Sequence, residues 1–344
     1  MNSHEQKLEQ YLNSFIINES QTNCKISYPR VKCCGSSKGL FCECQNLLIP
    51  KDDWPNVIQK GELNLPFDLD IILNDKKRSS SGFLGMVLLK ASEGCRNDKL
   101  QQNRRNQDLK QYSTARIIDT LEGQEVPFYN QQHKDTNNID KRVDECDSTY
   151  LLFPSDKSIP LSTVSNRIKK LVVIDCKWTK TSILKIPQLQ NMQQVHLDGD
   201  FLPNESYFWR WHNAGKGRCS TLEAIYFAAL QVFTNRKQQR QQPRQQQQED
   251  DAIGDAKDDI ENLIHLMWLF GIQRATTIET AKREGKPNPF TVEGKELQRS
   301  YRRLNKTIKG SEKHKRDVQE GKLLKMNRRN DEERKNLQNN ECMF

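Results

Sequence analysis

Apolar and polar positions alternate along this chain in blocks, and the sharpest apolar block is Leu171-Val172-Val173-Ile174. Three of its four residues are β-branched, which predicts a buried strand. Asp68 to Leu73 and Gly85 to Ala91 predict two more strands, the second centred on Met86-Val87-Leu88-Leu89. Tyr150-Leu151-Leu152-Phe153-Pro154 predicts a short strand, and Gln194 to Leu197 another. Helical spacing governs other blocks. Leu8, Leu12, Phe15 and Ile16 predict a short helix within residues 1–23, and Leu161 to Lys169 predicts a further one. The clearest helix runs from Ser220 to Thr234, with Leu222, Ile225, Tyr226, Ala229, Leu230 and Phe233 as its apolar stripe. Ile260 to Ala275 is amphipathic through Leu263, Ile264, Met267, Trp268 and Leu269. Strands separated by helical patterns predict an α/β domain with a mostly parallel sheet.

Between these blocks the chain is strongly polar. Residues 93–147 carry little apolar patterning and read as an insertion or long loop, and residues 235–259 as a Gln-rich, then acidic, disordered insert. Net charge is +9, and Lys295 to Lys335 alone hold 15 Lys or Arg against 7 Asp or Glu. A basic, largely disordered tail over 282–344 is the usual footprint of a polyanionic partner, or else a solvated extension. No apolar run has the roughly 18–20 residues that span a bilayer, and Met1 to Glu19 lack a signal-peptide core. Five of the ten cysteines fall between Cys24 and Cys44. This clustering predicts a reducing compartment, nucleus or cytoplasm, with a thiol or metal site in residues 24–50.

Four constellations carry candidate chemistry. Asp175 and Trp178 end the central predicted strand, and ligands of open α/β sheets bind beyond the carboxyl ends of strands; a turn-capping Asp and a core Trp are the alternative. Ser220 and Glu223 form a capping box, so the helix start at Ser220-Thr221 exposes N–H groups and a positive dipole end that suit an anion. Arg210 lies in the run Tyr207-Phe208-Trp209-Arg210-Trp211, which fits either core or base stacking. Cys34, Cys42 and Cys44 offer three thiolates for zinc, with Cys33 or Cys24 as a fourth, against a reading as free thiols.

Taken together, these pieces resemble the DTW-domain family of transfer-RNA uridine aminocarboxypropyltransferases. The Asp-x-Thr-Trp motif reads Asp175-Cys176-Lys177-Trp178, with Lys177 at the threonine position. An aromatic-Trp-Arg followed by Ser-Thr-x-Glu-Ala reads Phe208-Trp209-Arg210 and Ser220-Thr221-Leu222-Glu223-Ala224. Leu151-Leu152-Phe153-Pro154 and Cys34-Gly35-Ser36-Ser37 match further family segments, whereas Asn74-Asp75-Lys76-Lys77 stands where the family places His-Pro-x-Glu.

The resemblance implies a SPOUT-like catalytic domain over residues 62–275, with a knotted C-terminal cofactor site and the two inserts. It implies transfer of the 3-amino-3-carboxypropyl group of S-adenosylmethionine to N3 of a tRNA uridine, in the D-loop, releasing methylthioadenosine. Asp175, Trp178 and Glu223 become candidate catalytic residues, and Trp178, Arg210, Ser220, Thr221 and Glu223 candidate cofactor contacts. A positioned carboxylate can remove the N3 proton, and an aromatic face can hold the sulfonium. The partner is tRNA; no membrane and no obligate protein partner is implied. Two other functions share these features: an RNA methyltransferase of the same fold, and a non-catalytic RNA-binding protein.

Overall fold

A computed structural model describes residues 3–17, 28–34, 36–102, 112–127, 129, 148–177, 183, 185–203, 205–208, 218–241, 258–291, 293–297, 300, 307 and 312. The chain forms two compact units, Met1–Thr280 and Ala281–Phe344. In the second, Gly285 takes φ +64° and closes the preceding helix, its N–H donating to Lys282 O, and residues 293–297 are helical. Most of the predicted basic tail lies outside the described residues.

The first unit is built on a six-stranded, all-parallel sheet, ordered β4-β3-β7-β5-β8-β6. Its strands are β3 (Asp68–Asn74), β4 (Ala115–Asp119), β5 (Thr149–Leu152), β6 (Ile159–Pro160), β7 (Lys170–Cys176) and β8 (Gln194–His196). A separate antiparallel pair, β1 (Val31–Cys33) and β2 (Ser36–Lys38), belongs to the cysteine-rich element. β7 lies between β3 and β5, so the block read as central has strands on both sides. The helices are α1 (Ser3–Ile17), α2 (Asn56–Lys60), α3 (Ser81–Gln102), α4 (Pro187–Gln190), α5 (Thr221–Gln241) and α6 (Trp268–Arg283).

Period-two alternation sorts the strand residues onto two faces. Leu69, Ile71 and Leu73 of β3, with Leu171 and Val173 of β7, join the large core formed with α1, α3, α5 and α6. Ile72, Val172 and Leu151 face a smaller cluster completed by Ile118, Val126, Ile183, Leu189 and Met192. By the same alternation Asp175 falls on the helical face, with Leu171 and Val173.

Several sequence expectations are corrected. Gly85 to Ala91 is not a strand but the interior of α3. A short apolar run does not separate a buried strand from a buried helix, and here Phe83, Leu84, Met86, Val87 and Leu88 are all buried. Gly85 permits this packing: a Cβ there would stand 2.6 Å from Leu222 Cδ1 on α5. Residues 93–147 are not an insertion throughout. Residues 93–102 continue α3, and 115–119 form edge strand β4. Arg116 on β4 makes a bidentate pair with buried Asp70 of β3, at 2.7 Å for each bond, and Tyr129 donates to the same carboxylate.

Leu161 to Lys169 makes only a short 3₁₀ helix, Leu161–Val164, followed by a turn in which the Arg167 and Ile168 N–H groups both donate to Val164 O. The 235–259 segment is helical as far as Gln241. Asn235 Nδ2 donates to Ser165 Oγ, and the Arg236 guanidinium donates to the carbonyls of Ser165, Ile168 and Pro66, each at 2.8 Å. Residues 242–257 lie outside the described residues. The helix predicted over 260–275 is helical throughout: an α-helical turn at 258–262, a 3₁₀ segment, Leu263–Met267, and then α6. Among the described residues no helix is long and apolar enough to cross a membrane.

Candidate active site

Three neighbouring strands finish at one level: Asp119 of β4 and Asp175 of β7 each pair in register with Leu73 of β3. Beyond this edge the chain turns into α3, and α5 begins beside it. The contact between the two helix starts is direct, because Leu222 N–H donates to Ser81 Oγ at 3.3 Å.

Asp175 sits where these helix starts meet. It is 6 % exposed. Its Oδ2 accepts from Ser80 Oγ at 2.6 Å and from Gly82 N–H at 2.8 Å, and the Thr221 side chain also hydrogen-bonds the carboxylate. Ser80 Oγ in turn accepts from Phe83 N–H at 2.8 Å and caps α3. Burial pushes the Asp175 carboxyl above the usual range, and the bonds from Ser80, Gly82 and Thr221 oppose that shift. A strand-end carboxylate thus complements two helix dipoles at once.

Glu223 is fully buried. It accepts from Ser220 N–H at 2.6 Å, Tyr207 N–H at 2.6 Å and Ser206 Oγ at 2.7 Å. Ser220 Oγ accepts from Glu223 N–H at 3.4 Å, which completes the capping box read in the sequence. The additional bonds fasten residues 206–207 to the start of α5. Burial raises the Glu223 carboxyl as well, against these same donors.

The structure therefore brings together Asp175, Ser220, Thr221 and Glu223 from segments more than forty residues apart. Trp178 and Arg210 lie outside the described residues. Ser80, Ser81 and Gly82 were not among the residues singled out from the sequence. Their signal was present: Ser79-Ser80-Ser81-Gly82 before an apolar run is a helix-start signature, obscured by reading that run as a strand.

The cysteine-rich element holds a second arrangement. The metal-binding atoms of Cys33, Cys34, Cys42 and Cys44 all lie within 4.8 Å of one another. Cys33 Sγ is 3.5 Å from Cys44 Sγ and 3.9 Å from Cys34 Sγ. Four thiolates on one zinc, at about 2.3 Å each, stand about 3.8 Å apart at the corners of a tetrahedron. The donor set and spacing fit that ion. Two turns present the thiols. Cys34 adopts φ 48°, so adjacent Cys33 and Cys34 both turn inward, and Gln45 adopts φ 71° in a turn closed by Gln45 N–H to Cys42 O. Hydrogen bonds from Cys34 and Cys42 draw the Cys44 thiol down to about 7, whereas the bond with Cys44 pushes Cys34 up to about 12. Cys33 completes the set begun by Cys34, Cys42 and Cys44; Cys24 lies outside the described residues.

Compared with known proteins, residues 99–253 match the family model of the DTW domain. That match includes β7 with Asp175 and the start of α5 with Glu223. No curated protein and no solved structure matches the chain.

Proposed function

We propose that this chain, which carries a DTW domain over residues 99–253, transfers the 3-amino-3-carboxypropyl group of S-adenosylmethionine to N3 of a tRNA uridine. One observation carries the reading beyond the family match. The two motif segments, at Asp175 and at Ser220-Thr221-Leu222-Glu223, meet through the hydrogen bond between Thr221 and the Asp175 carboxylate. They meet at the carboxyl edge of a parallel sheet, the edge where such sheets place ligands.

In this reaction the uridine N3–H proton is lost, the N3–Cγ bond forms, and the Cγ–sulfur bond breaks. The sulfonium becomes neutral methylthioadenosine. Glu223 serves as a positioning residue in the arrangement described, since both its oxygens accept from the chain's own donors, and Asp175 Oδ2 is likewise held by Ser80 and Gly82. Removal of the N3 proton by Asp175 through Oδ2 requires Ser80 or Gly82 to release that oxygen. Trp178 is assigned to the sulfonium. The start of α5 is occupied by Asp175 and Glu223, so the methionine carboxylate is assigned to Arg210 rather than to Ser220 and Thr221. A knotted, SPOUT-like cofactor region belongs to the same reading, as do an intracellular site of action, in nucleus or cytoplasm, and a contribution of the basic tail to RNA affinity.

Zinc in the four-cysteine cluster has a structural part: a closed set of four thiolates leaves no open position for chemistry. The test of the reading is the product. Purified protein, tRNA and S-adenosylmethionine should yield methylthioadenosine and a uridine heavier by the aminocarboxypropyl group in nucleoside mass spectrometry. S-adenosylhomocysteine with a methylated nucleoside supports a methyltransferase instead. Tight RNA binding with neither product leaves a binding protein.

A further inference from the structure

We propose that the cleft between the cysteine-rich element and the turn after β3 grips the sugar-phosphate backbone of the RNA; this rests on the reading that RNA is the substrate. The cleft measures about 260 Å³ and is lined by Arg30, Leu40, Phe41, Glu43, Arg78 and Gln273. That volume is below the roughly 300–1,000 Å³ of pockets that take a whole small-molecule ligand. It matches one unit of a polymer that passes through.

Its chemistry selects the polymer. Arg30 and Arg78 are both exposed and both face the cleft. A guanidinium fork suits the oxygens of a phosphodiester, and two of them on one cleft suit successive or bridged phosphates. Glu43 Oε1 accepts from Arg78 Nε at 2.6 Å, which sets the plane of that guanidinium in advance. With side-chain exposures of 63 % and 46 %, this pair is solvent-screened and holds orientation more than it neutralises. Phe41 supplies an apolar floor. Its ring is half-buried and rests against Phe83 at 5.7 Å between centroids. Aromatic floor and cationic walls together are what single-stranded RNA recognition uses. An acidic peptide would meet the cations but has no use for the aromatic floor. Lys32 and Lys76, each two residues from one of these arginines, are exposed as well.

Position adds to the case. Glu43 lies between Cys42 and Cys44, so the cysteine cluster shapes one wall. Arg78 is two residues before Ser80, whose hydroxyl holds Asp175. RNA held at Arg78 therefore lies alongside the segment that builds the candidate active site.

The experiment uses the full chain, zinc included, and fluorescence anisotropy of labelled tRNA across a salt series. Arg30→Glu with Arg78→Glu should raise Kd about tenfold or more at low salt and lower the slope of log K against log salt by about two. Lys90→Glu with Lys185→Glu, an equal reversal at exposed sites outside the cleft, should leave most of the affinity and slope. Phe41→Leu should weaken binding with the slope unchanged. If the arginine double variant binds tRNA with wild-type Kd and slope, or if both double variants lose binding equally, the cleft is not an RNA contact. If wild type does not bind tRNA at all, the substrate reading falls first and this proposal with it.

Discussion

Gly82 donates its N–H to Asp175 Oδ2 at 2.8 Å, and a Cβ on Gly82 would stand 2.7 Å from that same oxygen. The hydrogen bond and the missing side chain are therefore one requirement. Thr221 Cγ2 would lie 3.1 Å from the added carbon and closes the other side. The carboxylate is the end of a side chain, but three donors pin it and it cannot swing away cheaply. Gly82→Ala should cost about 1–3 kcal/mol, the usual range for overpacking a buried site. Urea denaturation midpoints measure this. A midpoint equal to wild type would show that Asp175 can yield its place.

Burial raises the Asp175 and Glu223 carboxyls above their ordinary values. The sign of the consequence follows from linkage. Native protein retains protons that unfolded chains have released, so the stability tied to these groups is full below the unfolded carboxylate range, about 4. It is lost as pH rises through the raised native values. Asp175→Asn removes one of the two titrations. The fall in unfolding free energy from pH 4 to pH 7 should become shallower, while the absolute stability at pH 7 drops by about 1–3 kcal/mol because a charge-assisted acceptor is lost. An unchanged slope would mean that Asp175 is ionised in the native protein down to ordinary acid pH.

The candidate site was legible where local pattern and tertiary role coincide. β7 was readable because three of its four consecutive apolar residues are β-branched, and α5 because its capping box marks its first turn whatever surrounds it. α3 was not, because Met86-Val87-Leu88-Leu89 satisfies a strand and a fully buried helix equally, and only contact with α5 decides between them. β4 is short and carries Arg116 at an edge, and its pairing with Asp70 lies beyond any local window. Cys33 was held back by its neighbour Cys34; the left-handed backbone at Cys34 that turns both thiols inward is a property of the fold. The family match likewise begins at residue 99 and leaves out Ser80 to Gly82, the donors on which Asp175 depends.

Arg236 marks where composition misleads. It lies in a Gln-rich stretch that reads as disordered, yet its guanidinium ties three carbonyls of two different connections. Arg236→Ala leaves Ser165 O, Ile168 O and Pro66 O without their donor, and the loss should be about 2–4 kcal/mol, given roughly 1–3 for each buried unsatisfied group and partial access of water. Arg236→Lys should recover little, because one ammonium cannot copy the fork. A loss under 0.5 kcal/mol would return this stretch to the insert.

Metal analysis of protein purified without chelator should find one zinc per chain. Cys33→Ser should lose it as completely as Cys44→Ser, since both thiols belong to one cluster, and Cys24→Ser should retain it. Zinc kept in Cys33→Ser and lost in Cys24→Ser would exchange the fourth ligand. A structural zinc adds its binding free energy to folding, so chelation should also lower the thermal midpoint.

Glu223 separates capping from site assembly. Loss of a helix cap alone costs about 0.5–2 kcal/mol. Glu223→Ala would also orphan Tyr207 N–H and Ser206 Oγ, so the expected cost is about 3 kcal/mol or more. Ser206→Ala is the partial case: it removes one tie to the loop and leaves the capping box with Ser220 intact. It should cost only about 1 kcal/mol. Residues 206–208 lead directly into Trp209-Arg210, so looser anchoring should misplace the arginine assigned to the methionine carboxylate. The expected result is a raised KM for S-adenosylmethionine, with kcat falling further in Glu223→Ala than in Ser206→Ala. Equal kinetics in Ser206→Ala and wild type, with a stability loss in Glu223→Ala no greater than that of a cap, would confine Glu223 to ending a helix. The loop would then be set in place by something other than this carboxylate.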